Sequence, residues 1–155
     1  MATVAIYALA QVAGGICGAV LANVMFDVGT HISGKDRVSG GHLLSEVVAT
    51  AGLLLLIFAL ARTHRGVLAA PAVGAYIGAA YWFTSSTSFA NPAVTVGRMF
   101  SNTFAGIAPS SALAFCAMQV IGLGVGVALV LSLYPDAAES AADIVIPHRS
   151  EQESR

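Results

Sequence analysis

The tripeptide Asn91-Pro92-Ala93 is the part of this sequence best placed to do chemistry. Asparagine is a strong helix N-cap and proline is favoured at the first helical position, so a helix starts here. The segment that contains it, Thr84 to Ser111, is too polar for a membrane span and too apolar for a free loop. A helix that begins at membrane depth offers unsatisfied backbone N–H groups and the positive end of its dipole. With the Asn91 amide beside it, such an end welcomes the oxygen of a neutral solute and repels cations and protons. Glu46 is the second candidate. It opens the charge-free run from Val47 to Ala61, and an ionisable group in a span is costly and usually functional. Its bland alternative is an interfacial glutamate. Gln11, inside the first apolar run, reads as an interhelical hydrogen-bonding residue.

Other chemistry is poorly supported. His31, His42, His64 and His148 all fall in polar segments, and none is spaced with cysteine or carboxylate as a metal site requires. Cys17 and Cys116 lie in apolar runs and read as small buried hydrophobes, with no disulfide framework. Ser85, Ser86 and Ser88 have no base to activate them and read as partners for backbone groups near Asn91. No enzyme, metal or cofactor is implied. The near-neutral net charge of −1 leaves no basic patch for nucleic acid.

The elements that must hold these residues are set by lipid. Only 10% of residues are charged and 57% are hydrophobic, whereas a soluble domain carries about a quarter charged residues to wet its surface. Apolar stretches approaching the roughly 20 residues of a span recur along the chain. The sequence predicts an all-α membrane protein with spans at about 4–26, 43–61, 67–83 and 112–133. Ala10, Gly14, Gly18 and Ala22 share one helical face in the first, and the pairs Gly74/Gly78 and Gly122/Gly126 repeat the pattern. Small residues at that spacing let helices approach closely in lipid. Lys35, Asp36 and Arg37, in the first loop, read as fully solvated. Residues 91–104 read as a re-entrant half-helix, since irregular backbone at membrane depth survives only where protein or a water path covers it. Residues 136–155 read as a disordered tail. Arg62 and Arg65 place the loop after the second span, and the C-terminus, on the cytoplasmic side.

The run Ser86-Thr-Ser-Phe-Ala-Asn91-Pro92-Ala93-Val-Thr-Val-Gly-Arg98, set between two spans, resembles the aquaporin and glycerol-facilitator channels, the major intrinsic protein family. Ala10-Gln11-Val-Ala-Gly14-Gly15 looks like the start of that family's third span, and Glu46 falls where its fourth has a buried glutamate. The resemblance implies a passive pore for water and small neutral solutes in the cell membrane. In it Asn91 would orient passing molecules, and Pro92 and Ala93 would shape the turn. Glu46 would accept hydrogen bonds from the backbone before Asn91.

Two departures bear on function. Many family members carry arginine directly after Asn-Pro-Ala, where this chain has Val94. Arg98 is no obvious substitute, because four residues shift a side chain about 6 Å along the axis. With Ser88, Val94 and a small third-span residue (Ala79 in an ungapped alignment), the filter should be wide. It should admit glycerol or uncharged hydroxides such as trivalent arsenic acid. The second departure is size. The family fold needs six spans and two half-helices in inverted repeats, and this chain supplies only the last span of the first repeat and all of the second. The expectation is an incomplete aquaporin-like fold from a truncated channel that needs its missing N-terminal half, or a half-channel that associates. A complete chain would be a tetramer by resemblance. The faces left uncovered, with Glu46 and the Gly14/Gly18 ridge among them, should then meet lipid. The competing readings are a small proton-coupled secondary transporter using Glu46 and a non-transporting membrane subunit.

Overall fold

A computed structural model describes residues 2–134. Among them the chain forms five α-helices and no strand: α1 (Ala2–Met25), α2 (Gly40–Arg62), α3 (Ala69–Phe83), α4 (Pro92–Arg98) and α5 (Pro109–Leu133). A single 3-10 turn, Gly66–Leu68, leads into α3. Four helical segments are long and apolar enough to cross a membrane: Thr3–Met25, Gly40–Arg62, Gly66–Phe83 and Pro109–Leu133. The expected tail at 136–155 lies outside the described residues.

Local chemistry fixes where each helix begins. Ser39 accepts the His42 backbone N–H at 3.2 Å, which starts α2 at Gly40, three residues before the apolar run begins in earnest. Pro109 occupies the first turn of α5 and likewise starts it earlier than hydropathy alone indicates. The half-helix α4 is shorter than the expected 91–104. It ends at Arg98 because other segments take the carbonyls that would continue it. Ile107 N donates to Arg98 O, Ser33 N to Met99 O, and the Asn23 amide to Phe100 O. At seven residues, α4 spans only about 10 Å at 1.5 Å per residue. Phe104, expected at its end, sits in the following loop and is exposed.

Packing pairs α2 with α5, α1 with α4, and α3 with α2. The α2–α5 contact runs over Gly122 and Gly126, as their spacing predicts. A Cβ on Gly122 would lie 2.8 Å from Val47 O, and one on Gly126 2.9 Å from Leu54. The other two glycine pairs make no close contact, which for Gly14/Gly18 agrees with a ridge left uncovered. Gly14, Gly18, Gly74 and Gly78 all face open space. The contact stripe on α1 is one residue over, at Gly15, because the half-helix approaches from that side. A Cβ on Gly97 would sit 2.7 Å from both the carbonyl carbon and oxygen of Gly15. Only two side-chain-free backbones can come that close. Gly97→Ala is therefore expected to push α1 away and cost about 1–3 kcal/mol. Gly18→Ala, into open space, should cost nothing. Thermal unfolding of both variants in detergent, compared with the parent, checks the pair.

A compact apolar cluster of Phe89, Ile107 and Phe115, joined by Leu43, Val94 and Met99, sits beside the loop that precedes α4. Cys17 is exposed on α1 and Cys116 only partly covered, so the expectation that both are buried does not hold for Cys17.

Candidate functional site

The loop from Thr84 to Asn91 carries three non-glycine residues with left-handed backbone: Thr87 (φ 65°), Ser88 (φ 47°) and Ala90 (φ 51°). Each costs of the order of 1 kcal/mol in an L-residue, so the surroundings must over-determine the turn. Glu46 does much of this. Its Oε1 accepts from Ser86 Oγ at 2.6 Å and Phe89 N at 3.0 Å. Its Oε2 accepts from Ala90 N at 3.0 Å and from the Gln119 amide at 2.7 Å. All four partners donate, so both oxygens act only as acceptors. Glu46 is completely buried within this chain, which corrects the expectation that it would face lipid without the first repeat.

The network continues into the half-helix. Gln119 Nε2 also donates to Thr95 Oγ1 at 3.0 Å, and Thr95 Oγ1 donates to Asn91 O at 3.1 Å. Asn91 caps α4 by accepting from Ala93 N at 2.8 Å, and its Nδ2 donates to Gln11 Oε1 at 3.3 Å. The residues nominated from sequence on α1, α2 and α4 thus converge on one turn. Pro92 is exposed and Ala93 buried against α1. Gln119 and Thr95 are members of the network that the sequence reading does not nominate. A lone amide in the otherwise apolar run from Ala112 to Leu131 is the available signal, since a polar group there needs a partner.

Arg37 is not solvated. It is 8% exposed, and its guanidinium donates to three backbone carbonyls: Gly106 and Ser86 at 2.6 and 3.2 Å, and Phe104. Its own N–H donates to Ser111 Oγ, and that hydroxyl donates in turn to Asp36 at 2.6 Å. The Ser111 hydroxyl, with the Val38 N–H, holds the exposed Asp36 carboxyl below its ordinary range. Nothing in the sequence around Lys35 to Arg37 distinguishes a stapling arginine from a wetted one.

The filter candidates divide. Val94 lines an open, mostly apolar groove of about 710 Å³ between α1 and α4, together with Gly15, Ala19, Asn23, Gly97 and Arg98. Ser88 is 1% exposed, with a hydroxyl that has no hydrogen-bond partner, so it does not face that groove. Ala79 is exposed on α3. Two residues on, Tyr81 meets the Arg98 guanidinium at 5.4 Å from its ring centroid. No group of three or more metal-ligating side chains occurs among the described residues.

Comparison with known proteins bears on this arrangement of spans, buried glutamate and half-helix. The major intrinsic protein family profile matches residues 1–88, more than half of the chain. The chain belongs to that family. A curated relative, aquaglyceroporin AqpS of Rhizobium meliloti (strain 1021), is 48% identical over 128 residues, covering 81% of this chain and 54% of the relative. The chain thus spans about half the length of that protein. No solved structure matches.

Proposed function

We propose that the chain forms one half of the lining of a passive membrane channel for water and small uncharged solutes. Glycerol and metalloid hydroxides such as trivalent arsenic acid are the solutes that fit best. The observation that carries the reading is the groove between α1 and α4, with Val94 on its wall and no fixed carboxylate along it. An apolar wall of that breadth costs a polyol's carbon face little. Asn91, bound through Nδ2 to Gln11 and through Oδ1 to the α4 backbone, is held in one orientation at the head of α4. Kinship with a protein named an aquaglyceroporin supports the same solutes.

Glu46 supports passive flux over proton coupling, because both of its oxygens are engaged and none of it is exposed. A complementary half must close the groove, supplied by a first repeat or a second copy. A tetramer in the cell membrane, with Arg62, Arg65 and the C-terminus cytoplasmic, completes the reading. The test is osmotic. Liposomes bearing the chain, alone and with the first half of the 48% identical relative, are shrunk in glycerol and followed as they re-swell. Re-swelling faster than in empty liposomes, lost in Asn91→Asp, is the expected result. No flux in either preparation would overturn the channel reading.

A further inference from the structure

Two arginines approach the Phe89 ring, and they are held in different ways. Arg37 spends its donors on three backbone carbonyls. Arg98 lies with its guanidinium 4.1 Å from the Phe89 centroid and 5.4 Å from that of Tyr81. Its one hydrogen bond to a described residue runs from Nη1 to Thr87 Oγ1 at 3.2 Å. A guanidinium has five N–H donors, so most of those on Arg98 are left for another oxygen. Arginine stacks well on aromatic faces because its plane is weakly hydrated. Two rings and a hydroxyl fix this one in place without using up its donors.

Its position follows from helix geometry. Arg98 shares a face of α4 with Val94, four residues earlier, and both line the α1–α4 groove. Helical side chains lean toward the N-terminus. The arginine stem therefore recovers much of the axial distance between the two positions and brings the guanidinium to Thr87, eleven residues earlier in the chain. Thr87 and Tyr81 in turn line a polar pocket with Lys35, Asp36, Arg37 and His42. Arg98 thus stands where the polar pocket meets the apolar groove.

We propose that Arg98 is the charge-selecting residue of this path, offering N–H donors to the oxygens of an uncharged solute and repelling cations. The assignment rests on the channel reading for its purpose, but its test reads local charge and needs no flux. In a background of Cys17→Ala and Cys116→Ala, Val94→Cys is exposed to methanethiosulfonate reagents of opposite charge in nanodiscs. Rates are normalised to those of a small thiol in solution. With Arg98 present, the anionic reagent is expected to react at least about 5-fold faster than the cationic one, a ratio that falls as salt screens the charge. Arg98→Gln should bring the ratio to within about 2-fold of unity, and Arg98→Lys should keep most of it. Should Arg98→Gln not fold, Arg98→Met keeps contact with the Phe89 ring and serves as the neutral variant. A ratio unchanged in the neutral variant, or an introduced thiol that neither reagent reaches, overturns the proposal. Absent liposome flux with the charge ratio intact would count against the channel reading alone.

Discussion

Glu46→Gln is expected to destabilise the chain by about 1–3 kcal/mol for each buried donor it leaves unsatisfied. The substitution keeps shape and volume, so the loss is electrostatic. Four donors converge on the two carboxylate oxygens: Ser86 Oγ, Phe89 N, Ala90 N and Gln119 Nε2. A glutamine offers one acceptor oxygen and, whichever way it lies, turns its NH2 against a backbone N–H, that of Phe89 or of Ala90. The left-handed residues Thr87, Ser88 and Ala90 would then lose what holds them and relax toward ordinary backbone. Thermal unfolding in detergent gives the magnitude. Amide exchange at Phe89 and Ala90 gives the location, with protection there lost before that of α2 or α5. Unchanged exchange at those two amides would mean that something other than Glu46 holds the turn.

Arg37→Met is the second large effect, expected at roughly 3 kcal/mol, since it leaves buried carbonyls unpartnered where charge-assisted bonds had been. Gly106 O, Ser86 O and Phe104 O belong to the loops on either side of α4, and one side chain ties them to the loop before α2. Arg37→Lys should recover little. An ammonium on a flexible stem cannot reproduce the planar fork that reaches several carbonyls at once. Unfolding temperature and proteolysis within 101–108 check both variants. A lysine that restores stability fully would show that charge alone, and not the fork, matters.

How much of the fold and site is legible in the residues depends on the range of the interaction. The spans are legible because lipid forbids charge over long stretches, and Met1 to Phe26 and Val47 to Ala61 obey it. The start of α4 is legible because capping is local: Asn91 and Pro92 act within their own turn. Its end is not. Arg98, Met99 and Phe100 lose their carbonyls to Ile107, Ser33 and Asn23, and two of those donors are more than sixty residues away. The α1 stripe that meets α4 is hidden for a similar reason. The stripe through Gly14 and that through Gly15 are both small enough to pack, and only the approach of Gly97 selects the second. Glu46 and Asn91 can be named because their residue types are anomalous in a span. Arg37 cannot, because an arginine in a polar loop is ordinary until three carbonyls close on it. Counting Cα positions alone discounts Arg98, when the side chain covers the distance that the backbone does not.

The glycine contact between α1 and α4 also sets a clock. Among the described residues the helix that α1 packs against is the half-helix, and some 73 residues separate Met25 from Arg98. At about 5–20 residues per second, a ribosome takes roughly 4–15 s to make that stretch. During that interval α1 waits for the half-helix it packs against. Anything that slows synthesis between α2 and α4 lengthens the time in which Gly15 is without its Gly97 contact. Yield in cells should therefore respond to codon choice over residues 63–98 more than to the same changes made after α4.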